Sequence, residues 1–246
     1  MAHPRFHVSQ PLPRAPAADA LYDVSEEIAR HFQVLRIGVN DNVALFDGLG
    51  GEWIAVIAVM GKRQATVRMT QFVPIERESS LMLTLVQALA TSDKMDLIVQ
   101  KAVELGIAGI QPIATERATL KLAGDRAQKR AAHWQAIARA ACEQCGRNRV
   151  PAVADVISLE AWLALPAAGT QVMLQPAATI SLVGSADLTQ PLAVLVGPEG
   201  GFSDNEFAMA VRHGIKPVSL GPRVLRTETA GLAAIAALNA VHGDLR

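Results

Sequence analysis

The sequence has few of the residues that support disulfide-rich or metal-dependent proteins. Its 246 residues include two cysteines, Cys142 and Cys145, in a single C-x-x-C pair without a second pair of ligands. One pair excludes a disulfide framework and disfavours a structural zinc site. The pair ends a predicted helix, so no helix N-terminus activates its thiols. The six histidines are scattered. We expect reduced, non-catalytic cysteines and no metal.

Long hydrophobic runs are also absent. No apolar stretch reaches the roughly 18 residues that cross a bilayer. The N-terminal residues, with Pro4, Arg5 and His7, lack the apolar core of a signal peptide. Half of the residues are nevertheless hydrophobic, which is enough for one large or two small domain cores. We therefore expect a soluble, cytoplasmic protein that binds no membrane.

Positive charge is concentrated in one segment, although the net charge of the chain is zero. From Arg117 to Arg149 the sequence carries eight basic and two acidic residues, a net charge of +6. Residues 1–116 and residues 150–246 each carry a net charge of −3. Such a basic block either follows a phosphate backbone or forms a solvated helix face, and charge alone favours neither alternative.

Two regions differ in the spacing of their hydrophobic residues. Residues 1–72 contain short apolar runs between glycine turns, which predicts a small β-rich domain with one helix that begins at an Asp23-x-x-Glu26 capping box. Residues 73–80 are polar and contain Pro74, and we interpret them as a linker. Residues 81–246 alternate strand and helix patterns, which is typical of an α/β domain with a parallel sheet.

The predicted elements of both regions are short. The strands of the first region are Val43–Phe46, Trp53–Met60 and Ala65–Met69. Those of the second region are uninterrupted apolar runs, as strands buried on both faces must be. They are Leu81–Ala88, Gly109–Ile113, Gln171–Leu174, Leu192–Val196 and Pro217–Leu220. The helices of the second region are Lys94–Leu105, Arg126–Cys145, Leu159–Leu163, Asp204–His213 and Glu228–Val241.

A glycine-rich loop, Gly-Pro-Glu-Gly-Gly at residues 197–201, follows one predicted strand. Ser203 and Glu206 then form a capping box that fixes the start of the next helix. The loop lets a flat adenosine lie against bare backbone, and a tight turn without a ligand is the alternative. The glycine spacing excludes a dinucleotide-binding fingerprint, and no Gly-Lys-Ser/Thr follows as in a phosphate-binding loop.

A second turn, at residues 220–227, also lies between a predicted strand and a predicted helix. It carries Arg223 and Arg226 three residues apart beside the helix N-terminus. This arrangement suits a phosphate or a developing negative charge. The following helix is rich in small residues, so it forms either a subunit interface or an ordinary buried helix.

Four segments, in the same order along the chain, closely resemble the RsmE family of bacterial 16S ribosomal RNA methyltransferases. These segments are Lys94–Gly106, Ala141–Pro151, Leu195–Gly201 and Leu220–Ala230. The resemblance covers essentially the whole chain, and the N-terminal region looks like the PUA-like RNA-binding domain of that family. It implies methylation of N3 of a specific uridine, uracil 1498, in 16S rRNA of the small ribosomal subunit, with S-adenosylmethionine as the cofactor.

The resemblance also implies a fold and an assembly that hydrophobic periodicity does not predict. The fold is a SPOUT-type parallel-sheet α/β domain with a C-terminal trefoil knot, preceded by a small β-barrel PUA-like domain, and the assembly is a homodimer. Three loops within the knot hold the cofactor in that family. The matching positions here are Leu174, Gln175, Pro176, Val196, Gly197, Pro198, Glu199, Gly200, Gly201, Leu220, Gly221, Val224, Leu225 and Thr227.

Methylation at N3 of uracil requires the loss of a weakly acidic imide proton, so the site must stabilise an anionic base. We expect Arg226 or Arg223 to provide this stabilisation. Glu199 either accepts the proton, if burial raises its pKa, or braces its loop, and we favour the brace.

The basic block and the N-terminal region are expected to contact RNA phosphates. The residues assigned to RNA contacts are Arg5, Arg36, Lys94, Gln144, Arg147 and Arg149. Two other interpretations remain: a SPOUT enzyme that methylates a 2′-hydroxyl, and a non-catalytic RNA-binding factor that has kept the fold. Product analysis separates the first from the N3 enzyme, and cofactor binding separates the second. A nucleotide-dependent dehydrogenase is disfavoured by the missing fingerprint.

Overall fold

The protein is described by a computed structural model, which covers residues 3–13, 19–122, 124–185 and 187–245. The chain divides into two compact units. Unit 1 contains Met1–Glu78 and Cys142–Val150, and unit 2 contains Ser79–Ala141 and Pro151–Arg246. The first division lies inside the predicted linker. The other two divisions, after residues 141 and 150, assign residues 142–150 to unit 1. The sequence interpretation kept these residues in the C-terminal domain.

Unit 1 is built on a five-stranded sheet with one helix. In chain order its elements are β1 (Arg5–His7), β2 (Leu21–Val24), α1 (Glu26–Val34), β3 (Asn42–Phe46), β4 (Glu52–Met60) and β5 (Ala65–Val73). The strand order in the sheet is β1-β3-β4-β5-β2, with β1 parallel to β3 and the other pairs antiparallel. Strands β3, β4 and β5 match the predicted runs, whereas β1 and β2 had no clear sequence pattern.

Helix α1 begins later than the sequence predicts. Its N-cap is Ser25, whose hydroxyl oxygen accepts a hydrogen bond from the Ile28 backbone N–H at 3.3 Å. Asp23 lies in β2 instead, paired with Thr66 of β5, and its carboxylate accepts a hydrogen bond from the Thr66 hydroxyl at 2.6 Å. The predicted Asp23 capping box is therefore wrong, because strand pairing uses the aspartate and the serine two residues later satisfies the helix N-terminus.

Unit 2 is a parallel α/β structure. In chain order its elements are β6 (Leu83–Ala88), α2 (Ser92–Glu104), β7 (Gly109–Ala114), α3 (Asp125–Cys145), β8 (Ala152–Val153), β9 (Ile157–Ser158), α4 (Leu159–Leu163), β10 (Thr170–Leu174), α5 (Leu182–Ser185), β11 (Leu192–Val196), α6 (Asp204–Arg212), β12 (Lys216–Val218) and α7 (Thr227–His242). The last turn of α3 is counted with unit 1. The sheet order is β12-β10-β11-β6-β7-β8, β9 also pairs with β7, and all pairs are parallel.

The parallel pairing explains where the loops of unit 2 meet. Strand β10 lies between β11 and β12, so the carboxyl ends of all three strands lie at one edge of the sheet. Met173, Val196 and Val218, at or next to these ends, are buried and anchor the strands in the core. The loops that follow the three strands therefore leave the sheet side by side.

The structure confirms the predicted fold class, which combines a small β-rich domain with a parallel α/β domain. Within the part of the chain that the structure describes, no helix has both the length and the apolar composition needed to span a bilayer. The trefoil knot and the homodimer stay predictions of the resemblance.

Candidate active site

A cavity of about 610 Å³ opens where the three loops leave the sheet of unit 2. Such a volume lies within the range of roughly 300–1,000 Å³ that is usual for small-molecule sites. Its lining comes from residues 174–176 after β10, 196–201 after β11 and 220–227 after β12. All fourteen positions predicted to hold a cofactor line this cavity. The structure thus brings together three sequence segments, the first of which carries no distinctive motif.

The start of α6 holds the glycine-rich loop in place. The Glu206 backbone N–H donates to the Ser203 hydroxyl at 3.2 Å, and the Ser203 N–H donates to one Glu206 carboxylate oxygen at 2.9 Å. The capping box is therefore confirmed. The other Glu206 oxygen accepts a hydrogen bond from the Glu116 N–H at 2.8 Å. Glu206 is buried, so these hydrogen bonds are shielded from water. They fix the end of the glycine-rich loop at the start of α6.

A buried chain of hydrogen bonds connects two of the loops to the sheet. The Thr227 hydroxyl donates to the Gly197 carbonyl oxygen at 2.6 Å and accepts from Gln87 Nε2 at 3.0 Å. Gln87 lies in β6, is fully buried, and donates its other amide hydrogen to the Ala88 carbonyl oxygen at 3.0 Å. If the Gln87 amide were rotated by 180°, its side-chain oxygen would face the Ala88 carbonyl oxygen, and both atoms are acceptors. The orientation of the amide is therefore fixed. The centre of the sheet therefore sets the spacing between the two loops.

An ion-pair cluster connects the same two loops on the cavity side. Lys94 Nζ of α2 lies 3.2 Å from Glu199 Oε1 and 3.3 Å from Glu228 Oε2. Burial alone would raise the pKa of Glu199, but hydrogen bonds from two backbone amides and from Lys94 hold that pKa below its ordinary value. The Glu199 carboxylate in turn raises the pKa of Lys94. An ionised, paired Glu199 fits a brace for the loop and does not fit a base of raised pKa.

Arg117 contacts the glycine-rich loop from the segment that precedes α3. Its guanidinium donates to the Phe202 carbonyl oxygen at 3.2 Å and lies 3.4 Å from the Gly200 carbonyl oxygen. Sequence reasoning placed Arg117 only in the basic block and did not select Gln87 or Glu228. A glutamine inside an otherwise apolar predicted strand is a sequence signal for a buried hydrogen-bonding role.

Arg223 and Arg226 differ from these bound side chains. Both line the cavity and are exposed, and neither side chain has an ion-pair or hydrogen-bond partner among the residues that the structure describes. Arg226 is the N-cap of α7, with φ −66° and ψ 155°, and its side chain makes no capping bond. Two positive charges therefore face the cavity and are available to a ligand.

The six residues assigned to RNA contacts lie in three different settings. The exposed ones are Arg36, Gln144 and Arg149. Lys94 lies in the cavity and is paired with two carboxylates, which accounts for its charge without RNA. Arg5 and Arg147 lie inside unit 1, where 5% of Arg147 is exposed.

Arg5 and Arg147 hold residues 142–150 within unit 1. Arg147 Nε donates to the Glu78 carboxylate at 2.9 Å. Arg5 forms an ion pair with Glu52 and donates to the Asn148 side-chain oxygen at 2.6 Å. The structure assigns these guanidinium groups to internal ion pairs instead of the phosphate contacts that the sequence suggested. A phosphate would have to compete with buried carboxylates at both positions.

The cysteine pair ends α3, as predicted, and both thiols are free. Burial raises the pKa of the Cys142 thiol to about 12, so the thiol stays protonated at neutral pH. Among the described residues, no three metal-ligating side chains form a group that would hold an ion.

A parallel sheet with a glycine-lined cavity at its carboxyl edge defines an α/β protein that binds a small organic ligand. The family model described as RNA methyltransferase domain matches residues 77–239, and the model described as RNA methyltransferase PUA domain matches residues 24–70. The chain belongs to this RNA methyltransferase family, in the group of ribosomal RNA small subunit methyltransferase E.

Individual relatives agree with this membership. Ribosomal RNA small subunit methyltransferase E of Buchnera aphidicola subsp. Schizaphis graminum is 31% identical over 214 residues, which cover 87% of each chain. The crystal structure of ribosomal RNA small subunit methyltransferase E from Neisseria gonorrhoeae, bound to S-adenosylmethionine, has a TM-score of 0.93 at 38% identity and covers 99% of this chain and 100% of that one. A methyltransferase structure from Legionella pneumophila, also with S-adenosylmethionine, has a TM-score of 0.91 at 35% identity over 100% of both chains.

Proposed function

We propose that this protein transfers a methyl group from S-adenosylmethionine to N3 of a specific uridine in 16S rRNA of the small ribosomal subunit. One observation carries the proposal: three loops converge on a single cavity, with two unpaired arginines, in a chain of the RNA methyltransferase family. Family membership supports RNA methylation in general. The uridine and its N3 atom are the finer step, supported by the chemistry of the cavity.

The cavity fits S-adenosylmethionine in its surface as well as its volume. Gly201 and Gly221 line it with φ values of +68° and +100°, which side chains rarely adopt. No heavy atom lies within 4 Å of the position that a Cβ would take at either glycine. Bare backbone therefore borders open space at two points, as a flat adenosine requires. We propose that the fourteen lining positions named above hold the cofactor.

When bound, S-adenosylmethionine would supply an electrophilic methyl group, whose bond to the positively charged sulfur would break with the electron pair left on sulfur, so that the product is the neutral thioether S-adenosylhomocysteine. For uracil to accept this group, its N3–H bond must break, and the nitrogen keeps the electron pair that forms the new N3–methyl bond. We expect Arg226 and Arg223, which line the cavity, to donate hydrogen bonds to the carbonyl oxygens of the anionic base. Preorganised positive charge at a developing anion is usually the largest single contribution to such catalysis.

The fate of the imide proton follows from the ion pairs of the cavity. Glu199 is ionised but engaged by Lys94 and by backbone amides, and its lowered pKa makes it a weak base. We therefore propose that the proton leaves to solvent at the open side of the cavity. Glu199, with Lys94 and Glu228, keeps the two loops at a fixed separation.

The proposal includes the remaining features implied by the family resemblance. Exposed Arg36, Gln144 and Arg149 contact RNA, and the enzyme acts in the cytoplasm as a homodimer with a C-terminal trefoil knot. Light scattering of the purified protein tests the assembly. A homodimer has twice the chain mass of 26.1 kDa.

The reaction is tested with purified protein, labelled S-adenosylmethionine and small ribosomal subunits from cells that lack this modification. The RNA is digested, and the methylated nucleoside is identified by mass spectrometry. We expect 3-methyluridine. A 2′-O-methylated nucleoside would instead support the other SPOUT activity, and cofactor binding without RNA labelling would support an RNA-binding factor.

A further inference from the structure

Unit 2 contains a second cavity, of about 420 Å³, that we name the basic cavity. Its lining consists of leucines and basic side chains: Leu120, Lys121, Leu122, Arg126, Lys129, Arg130 and His133. The last four lie on α3 with the spacing i, i+3, i+4 and i+7, which places them on one helix face. Among the residues that the structure describes, the lining of this cavity includes no carboxylate. Its lining chemistry therefore favours an anion.

The cations of the basic cavity divide into fixed and free groups. Lys121 donates to two backbone carbonyl oxygens, at 2.8 and 3.1 Å, and Arg130 donates to the Ser92 hydroxyl at 3.1 Å. Arg126 and Lys129 are exposed, and within the described ranges neither side chain has an ion-pair or hydrogen-bond partner. The fixed groups shape the cavity, and the free groups leave two positive charges uncompensated. One lining residue has an acidic partner outside the lining, because His133 Nε2 lies 3.1 Å from the Asp96 carboxylate. An ordinary solvated helix face does not need a concavity with two unpaired cations.

The basic cavity adjoins the active-site cavity along two segments of unit 2. Arg117 lines the active-site cavity and Lys121 lines the basic cavity. They are four positions apart in the sequence, so their Cα atoms are at most about 14 Å apart. Lys94 of the active-site cavity is likewise two residues from Ser92, which binds Arg130. An RNA strand with one nucleotide at the active site therefore has flanking phosphates within reach of the basic cavity.

We propose that the basic cavity binds backbone phosphates of the RNA strand that flanks the target nucleotide, with Arg126 and Lys129 as the contacting charges. This inference rests on the proposed function, because it takes RNA as the substrate at the neighbouring cavity. Phosphate contacts of this kind position the strand without reading its sequence. Their contribution to RNA affinity decreases as the salt concentration rises.

The test compares wild type with Arg126→Gln/Lys129→Gln and with Arg212→Gln/Lys216→Gln, which removes two exposed positive charges elsewhere in unit 2. Binding to unmodified small ribosomal subunits is measured at several salt concentrations. Methylation kcat and the Kd for S-adenosylmethionine are measured in parallel. Two lost phosphate contacts should weaken binding about tenfold and reduce the slope of log K against log salt by about 1.4. A third variant, Arg126→Lys/Lys129→Arg, keeps both charges and should keep the slope.

The expected result is weaker, less salt-dependent binding in the Arg126→Gln/Lys129→Gln variant alone, with kcat at saturating RNA and the cofactor Kd unchanged. Binding equal to that of the Arg212→Gln/Lys216→Gln control would overturn the inference while leaving the proposed function intact, provided that wild type methylates the subunits. Failure of wild type to bind or methylate the subunits would overturn the proposed function itself, together with the inference. Thermal melting of each variant confirms that these exposed substitutions leave the fold unchanged.

Discussion

Arginines serve opposite purposes in the two units. In unit 1, buried Arg147 and mostly buried Arg5 form ion pairs with carboxylates, so both charges are neutralised within the fold. In unit 2, Arg223 and Arg226 line a cavity, and no described residue pairs with them. A buried pair makes the unit depend on both partners, whereas an unpaired cation at a cavity is available for a ligand. Charge counted along the sequence therefore does not distinguish these structural arginines from the cavity arginines, but buried ion pairing does.

The largest effect is expected where a paired charge is removed from unit 1. Arg147→Met leaves Glu78 mostly buried without its partner, so we expect the free energy of unfolding to fall by about 3 kcal/mol. Arg149→Met is the control, because its pair with Glu76 is largely exposed and should contribute under about 1 kcal/mol. Urea denaturation measures both. Equal losses in the two variants would contradict the structural role of Arg147.

In unit 2 the corresponding loss should appear in the reaction rate instead of stability. Arg226→Ala removes a charge aimed at the anionic base, and we expect kcat to fall by about 100-fold or more. The Kd for S-adenosylmethionine and the melting temperature should hardly change. Single-turnover methylation and calorimetric titration provide the measurements, with exposed Arg212→Ala of α6 as the control. An unchanged rate in Arg226→Ala would remove the proposed electrostatic role.

A smaller effect is expected from the buried link beneath the cofactor loops. Gln87→Leu removes the donor to Thr227, so the loops lose a fixed spacing and the Kd for S-adenosylmethionine should rise about tenfold. Thr84→Val, in the same strand, should leave the Kd unchanged. Thr227→Val should resemble Gln87→Leu, whereas Thr227→Ser keeps the hydroxyl and should bind like wild type. The idea fails if Gln87→Leu lowers the melting temperature but leaves the cofactor Kd unaltered.

The smallest effect is expected from pH. The pKa of Glu199 is lower in the folded state than in the unfolded state. Its ionised carboxylate therefore stabilises the fold above the ordinary carboxylate pKa, and this stabilisation is lost as pH falls through the folded-state pKa. The pKa of Lys94 is raised in the folded state, so the stabilisation from its charged amine is lost only as pH rises through that higher pKa. Between about pH 5 and 9 neither group should titrate. If kcat of the wild type rises with pH in this range, kcat of Glu199→Gln should rise in the same way. Loss of this pH dependence in the variant would identify Glu199 as the proton acceptor.

Local sequence chemistry predicted the features that short-range contacts determine. Strands β6, β7, β10 and β11 coincide with short, mostly apolar runs, so their hydrophobicity indicates them. The Ser203–Glu206 capping box involves neighbours in sequence and was confirmed. Strands β8 and β9 have two residues each, which is too short for a periodic pattern.

Features that depend on distant residues were not predicted from local sequence patterns, and only the family resemblance indicated that the three cofactor loops meet. Gln87 and Thr227 are 140 residues apart and meet only because β6 and β11 pair in parallel. The burial of Arg147 likewise depends on Glu78, 69 residues earlier in the chain. The Asp23 capping box failed for the same reason, since pairing between β2 and β5 decided the position of that aspartate.

Ultraviolet cross-linking of labelled S-adenosylmethionine to the wild-type protein, followed by mass spectrometric mapping of the labelled peptides, would locate the cofactor. Label confined to peptides that contain residues 174–176, 197–201 or 220–227, and competed away by S-adenosylhomocysteine, is the predicted result. Competed label in unit 1, or in unit 2 peptides remote from the three loops, would contradict the proposed active site.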